Sequence, residues 1–201
     1  MSKSAVSGVI LAAGASRRLG RPKQLLPLNG RPLLDHVIQH AISSTLGEII
    51  VVLGAERGRI RVLMDLSKVH VVENQRFAEG QSTSVVVALD YLDPGATGVL
   101  FLLGDQPGVS AEVISAVVDA FDEDPQTIVM PSWRGIPSNP VLFGRAYFDE
   151  LRKLTGDEGA RAIAMRARDR VHLVPIDQPV PQDVDTEDDY LRLVESATPK
   201  S

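Results

Sequence analysis

The chain has 201 residues, 44% hydrophobic and 23% charged, with a formal net charge of −5. That is enough apolar material for one sizeable core, expected as a single domain over 1–201 with about 1–5 and 197–201 frayed. The acidic balance argues against nucleic-acid binding, the absence of cysteine excludes disulfides and thiolate metal sites, and no apolar run approaches a membrane span. With no leader pattern at the start, the expected location is cytoplasmic.

In chain order, Val6–Ala13 predicts a buried strand that delivers a small, cationic loop: Gly14, Ala15 and Ser16, then Arg17, Arg18, Gly20, Arg21 and Lys23. Between Met1 and Leu34 stand six Lys or Arg and no acid. Small residues let backbone N–H groups approach a ligand and the cations add charge, so a polyphosphate is the expected guest. Neither common phosphate motif accounts for the spacing. Five residues separate Gly14 from Gly20 and Arg21-Pro22 precede Lys23, which is not a Walker A loop; Ser16 stands where a dinucleotide fingerprint needs its second glycine.

Further strands are expected at Glu48–Leu53, Val69–Glu73, Gly98–Leu103, Thr127–Met130, Pro140–Phe143 and Val171–Pro175. Helical patterns fall between or after them: Pro32–Ser44, Ala55–Met64, Ser82–Leu92, Ser110–Phe121, Arg145–Leu154, Glu158–Arg168 and Thr186–Val194. Alternation of this kind, with continuously apolar strands, predicts an α/β fold: a three-layer, Rossmann-like, mostly parallel sheet. Ligands bind at the carboxyl ends of such strands, which places Gly14–Lys23 and Gly104–Pro107 on one edge. The segment Pro131–Pro140 is expected as an irregular rim over that edge. His36 and His40 have the spacing of a zinc-protease pair, but Val37 replaces the glutamate, and they read as ordinary helix residues.

Asp105 follows a buried strand beside Gly104 and Pro107, a fixed position with open approach, although a turn or helix-capping aspartate has the same appearance. The segment Asp177–Asp189 holds six acids and no Lys or Arg. In it, Thr186 reads as a helix cap followed by Glu187, Asp188 and Asp189, where the helix dipole favours negative charge. Ser82 or Thr83 likewise suits a cap for the helix that follows. Asp157 and Arg161 have the spacing of an exposed ion pair at a helix start.

Leu11-Ala12-Ala13-Gly14-Ala15-Ser16-Arg17-Arg18-Leu19-Gly20, then Arg21-Pro22-Lys23-Gln24-Leu25-Leu26-Pro27-Leu28 and Gly30-Arg31-Pro32-Leu33-Leu34, resembles the signature of MobA-like nucleotidyltransferases. These enzymes have the nucleotide-diphospho-sugar transferase fold and activate sugars, alditols and molybdopterin. Leu19 stands where the family usually has methionine. The resemblance implies catalytic roles for Arg18, Lys23 and Asp105, with Arg18 and Lys23 on the triphosphate. It implies nucleotide contacts at Leu11, Ala12, Ala13, Gly14, Lys23, Gly80, Gln81, Ser82 and Ser84, the latter group within an Asn74…Gly80…Ser84 stretch. It implies Mg2+ held by Asp105 and Asp185, with Asp183 as the fallback ligand.

Gly104-Asp105-Gln106-Pro107 is closest to the molybdopterin-directed subgroup, the molybdenum cofactor cytidylyltransferases. Segments Gly135–Val141 and Gly156–Arg161 resemble that subgroup's acceptor side, implying acceptor contacts at Asn139, Asp157 and Arg161; Ser138 replaces the usual glycine. The expected reaction is transfer of CMP from CTP to the terminal phosphate of molybdenum-molybdopterin, with a molybdoenzyme or its chaperone as a further partner. Alternatives are a guanylyl- or sugar-nucleotide transferase, or a non-catalytic nucleotide-binding accessory protein for molybdoenzyme maturation.

Overall fold

The structure, a computed structural model, describes residues 5–197. The fraying expected at 1–5 and 197–201 therefore falls mostly outside the described residues. In order the elements are β1 (Val6–Ala12), β2 (Pro27–Leu28), β3 (Arg31–Pro32), α1 (Leu33–Ile42), β4 (Glu48–Leu53), α2 (Arg57–Leu63), β5 (His70–Glu73) and α3 (Ser82–Leu89). They continue with β6 (Gly98–Leu103), α4 (Ala111–Asp119), β7 (Ile128–Trp133), β8 (Ile136–Pro137), β9 (Val141–Gly144), α5 (Phe148–Leu151), α6 (Arg161–Arg166), β10 (Val171–Ile176) and α7 (Glu187–Ala197).

The main sheet has the order β10-β7-β9-β6-β1-β4-β5, with β8 paired to β7. The pairs β1–β4, β1–β6, β4–β5 and β7–β10 are parallel, whereas β9 runs antiparallel to both its neighbours. Continuous apolar strands follow from burial on both faces. In β1, Val6, Ile10 and Ala12 pack toward α1, α2 and α4, while Val9 packs toward α3, α5 and α6; in β6, Leu100 and Leu102 take the first face, Val99 and Phe101 the second. Helix α1 supplies Leu34, Val37, Ile38 and Ala41 to its side at helical spacing.

The hairpin of β2 and β3 turns on Asn29 and Gly30, both in left-handed conformation at φ of +48° and +81°. Two such residues between paired strands make the turn whose twist suits a tight hairpin. Its Leu28, with Leu26, Leu33 and Val184, forms a small separate core that receives Tyr190, Leu193 and Val194 of α7. This core fixes the acidic C-terminal segment against the chain's first loop. Both predicted-helix histidines serve packing: His36 Nε2 bonds the Leu28 carbonyl at 2.8 Å and His40 Nδ1 the Val109 carbonyl at 2.9 Å. Among the described residues, no helix is long and apolar enough to cross a membrane.

Candidate active site

The strands β6 and β4 flank β1, and the chain moves from β1 to β4 and β5 on one side before crossing to β6 on the other. At this switch point the loops leaving the carboxyl ends diverge and open a cleft. The cleft has a volume of about 560 Å3 and is walled by the loop after β1, Gly104 and Asp105 after β6, the Phe77–Gln81 turn, and Asp183 and Asp185.

Two interior contacts shape the first loop. Gln24 is buried and donates through Nε2 to the carbonyl oxygens of Ala12 at 3.0 Å and Gly14 at 2.8 Å. Ser16, at φ of +51°, accepts the N–H groups of Leu19 and Gly20 on its carbonyl and that of Lys23 on Oγ. The loop's carbonyls are thus tied inward. Among the described residues no hydrogen bond uses the N–H of Gly14 or Ala15, and both residues wall the cleft. Free N–H groups in a concave loop suit phosphate oxygens.

Lys23 lies between two acids. Its Nζ is 2.5 Å from Asp105 Oδ2 and 3.1 Å from Asp185 Oδ1, while Arg18 Nη2 pairs with the other Asp185 oxygen at 2.8 Å. Close packing of β6 on β1 makes the first contact possible. The Gly104 N–H donates to the Leu11 carbonyl at 3.0 Å, and a Cβ at position 104 would meet Ala12 Cβ at 3.0 Å. The second contact depends on α7. Thr186 and Asp189 exchange hydrogen bonds at its start, and Asp189 Oδ2 also accepts the Asp185 N–H at 3.3 Å. Arg21 ties the same helix to the loop through Glu187 and lies 5.2 Å above the Tyr190 ring.

Burial lowers the pKa of the Lys23 ammonium, but the Asp105 charge and hydrogen bonds from Lys23 to both acids outweigh it and leave the group above its ordinary value. Burial, and next the Asp105 charge, push the Asp183 carboxyl up; a 2.6 Å hydrogen bond from Gln106 Nε2 offsets part of this. Asp105 and Asp185 converge on one cation, an all-oxygen donor pair of the kind hard divalent cations prefer. Among the described residues no group of three or more His, Cys, Asp or Glu makes a metal cage alone. A cation that keeps water and phosphate oxygens as its other ligands fits two carboxylates.

Of the residues singled out from the sequence, Leu11, Ala12, Ala13, Gly14, Arg18, Lys23, Gly80, Gln81, Ser84, Asp105, Asp157 and Asp185 all wall this cleft. Ser82 does not. It is buried behind the wall and its Oγ donates to the Gly156 carbonyl at 2.8 Å, a structural tie. Asn74 is likewise buried, with Nδ2 donating to Thr83 and Ser84 hydroxyls. Asn139 and Arg161 line an adjoining cavity of about 210 Å3 that shares Leu11, Gln81 and Leu103 with the cleft. The exposed Asp157–Arg161 pair does not form; Arg161 Nη2 donates instead to the Pro137 carbonyl at 2.9 Å. Gln24, which stands in the signature without an expected role, has one signal in the sequence, a polar side chain directly before Leu25-Leu26.

The profile of the MobA-like NTP transferase domain matches residues 8–183. The chain belongs to the MobA-like NTP transferase family. Asp105 and Lys23 lie inside the matched span and Asp185 just past its end. The chain is similar to the purine catabolism protein PucB of Bacillus subtilis, 30% identical over 88% of this chain and 94% of that protein's length. Nicotine blue oxidoreductase of Paenarthrobacter nicotinovorans is 28% identical over 94% of this chain and 96% of its own. Rv0371c of Mycobacterium tuberculosis H37Rv, solved in complex with manganese, superposes with a TM-score of 0.82 at 34% identity, covering 97% of this chain and 100% of its own. The MobA-like fold here is thus the mostly parallel nucleotide-diphospho-sugar transferase architecture.

Proposed function

We propose that the protein transfers CMP from CTP to the terminal phosphate of molybdenum-bearing molybdopterin and releases pyrophosphate. The observation that carries this reading is the pairing of cations and carboxylates in one cleft: Arg18 and Lys23 against Asp105 and Asp185. A site for merely holding an anion needs the cations alone. Family membership supports nucleotidyl transfer, and the resemblance of Gly104–Pro107 to the molybdopterin-directed subgroup supports the acceptor.

An acceptor phosphate is ionised at neutral pH, so no strong general base is required. One of its oxygens attacks the α-phosphorus, the bond from that phosphorus to the β-phosphate bridging oxygen breaks, and the electron pair leaves with pyrophosphate. The N–H groups of Gly14 and Ala15 orient the phosphates. Arg18 and Lys23 offset charge on the departing group, and catalysis rests on alignment and charge neutralisation. Asp105 and Asp185 would hold a divalent cation, which when bound supplies charge neutralisation at the phosphates; the manganese complex of Rv0371c supports a divalent ion in this family. On the acceptor side, Asp157 faces the cleft, and Asn139 and Arg161 line the cavity beside it.

Pyrophosphate release tests the reading, with Mg2+, molybdenum-molybdopterin and each of CTP, GTP, ATP and UTP in turn. Turnover with CTP is expected. Turnover with GTP alone overturns the cytidylyl assignment, and silence with every nucleotide supports an accessory binding role.

A further inference from the structure

Lys23 and the pair of acids it touches form a closed charge unit. The ammonium bridges Asp105 and Asp185 with side-chain exposures of 20%, 10% and 32%. One flexible cation therefore lies between the two carboxylates that converge in the cleft, and Arg18 covers the remaining Asp185 oxygen. The same ammonium is the group assigned above to the triphosphate. It has two positions to fill and one charge with which to fill them.

We propose that Lys23 is an internal counter-cation: in the free protein it holds Asp105 and Asp185 in place of a divalent ion, and it moves to the phosphates when metal and nucleotide arrive together. The proposal rests on the two-carboxylate reading of the metal site. Its physical basis is that Asp105, its side chain 10% exposed, has among the described residues no cation but Lys23 and cannot be left unpaired without a large cost, so the free site needs a resident cation there even though Arg18 also pairs with Asp185. A divalent ion entering alone must displace the ammonium, which then has no anion to receive it. A metal-bound triphosphate supplies both at once. Metal and nucleotide affinities are accordingly coupled through one side chain, and by linkage each strengthens the other.

The distinguishing experiment measures Mn2+ alone, by electron paramagnetic resonance of the free ion, with no nucleotide and no turnover. Lys23→Met removes the competitor and is expected to bind Mn2+ about tenfold tighter or more, against the usual result that deleting a site residue weakens binding. Lys23→Arg keeps the charge and is expected to bind as weakly as wild type. Equal or weaker Mn2+ binding by a folded Lys23→Met protein overturns the proposal.

A second readout uses the unmodified protein and so does not depend on how that variant folds. Acetic anhydride labelling with peptide mass spectrometry should find Lys23 more reactive at saturating Mn2+ than in the free protein, and protected again when CTP is added. Unchanged reactivity on adding Mn2+ overturns the proposal. Failure here is separable from failure of the proposed reaction: CTP turnover without the Lys23 effects removes the counter-cation alone, while the Lys23 effects without turnover leave it standing and remove the transferase reading.

Discussion

The side-chain amide of Gln24 donates to the carbonyl oxygen of Gly14, ten residues upstream, at 2.8 Å. With its second bond to Ala12, this makes Gln24 the internal template on which the loop after β1 is folded. Gln24→Met keeps the shape and removes the donor. Two carbonyls then lose their partner, at a cost of about 1–3 kcal/mol in denaturant unfolding. The loop's N–H groups also lose their aim, and kcat/KM for the nucleotide should fall about 100-fold, the scale on which small misplacements act. Wild-type kinetics in that variant would show that the loop holds its shape without the amide.

Gly80 joins the Phe77–Gln81 wall of the cleft to the Gly156-Asp157 segment. At φ of +118° it approaches Gly156 so closely that a Cβ would lie 2.1 Å from the Gly156 carbonyl oxygen. Gly80→Ala should therefore destabilise by about 2–3 kcal/mol, and it should raise KM for the acceptor by pushing Asp157 out of line. Gly156→Ala is the control. Its position is also left-handed, at φ of +58°, but open space surrounds the added atom, so backbone strain alone applies, about 1–2 kcal/mol. A smaller loss of melting temperature in Gly80→Ala than in Gly156→Ala would contradict the packing argument.

The parts of this molecule legible in the sequence are those fixed by local pattern. Strands β4 and β6 match the expected Glu48–Leu53 and Gly98–Leu103 because burial on both faces makes each run continuously apolar and its ends abrupt. Topology alone places the loops after β1 and β6, Gly14–Lys23 and Gly104–Pro107, on one edge, whereas the roles expected of Lys23 and Asp105 within them rest on the family resemblance. The antiparallel direction of β9 was not legible, since a strand buried on both faces has the same composition whichever way it runs. The β2–β3 hairpin was missed despite Asn29-Gly30, because strands of two residues have no period to detect. Expected Arg145–Leu154 proved to be a short 3-10 turn followed by α5 over Phe148–Leu151. At the site, the role of Ser82 depends on a carbonyl 74 residues away and that of Asp183 on an amide 77 residues away, distances that no local motif encodes.

The start of α7 gives a prediction with a pH signature. Thr186 and Asp189 cap the helix reciprocally, and hydrogen bonds from the Thr186 side chain and then its backbone hold the Asp189 carboxyl below its ordinary value of 3.8. A carboxyl depressed in the folded state contributes stability that is fully present above its unfolded value and is lost as pH falls through the folded one. The stability difference between wild type and Asp189→Asn, measured by urea unfolding, should thus be constant near neutrality and shrink below pH 3.8. Thr186→Ala should cost about 1 kcal/mol as a lost cap. A gap between wild type and Asp189→Asn that widens on acidification would reverse the sign and refute the assignment.

Asp183 and Asp185 both reach the cleft, and their contacts divide their work. Asp185 shares Lys23 with Asp105 and takes Arg18 on its other oxygen, whereas Asp183 accepts from the buried Gln106 amide, a neutral partner whose Oε1 has no hydrogen bond of its own. On the proposed metal site, the carboxylate that faces the shared cation is the one to hold a metal in its stead. Asp105→Ala and Asp185→Ala should each lower turnover on the order of 1,000-fold, the scale of several kcal/mol supplied by a bound metal. They should also weaken Mn2+ binding while leaving far-ultraviolet circular dichroism unchanged, because Lys23 keeps the other acid in each case. Asp183→Asn preserves an oxygen for Gln106 and should keep Mn2+ affinity within about threefold of wild type, a difference of well under 1 kcal/mol. If Asp183→Asn loses the metal and Asp185→Ala keeps it, the second ligand is Asp183, and Asp185 serves only to position Arg18 and Lys23.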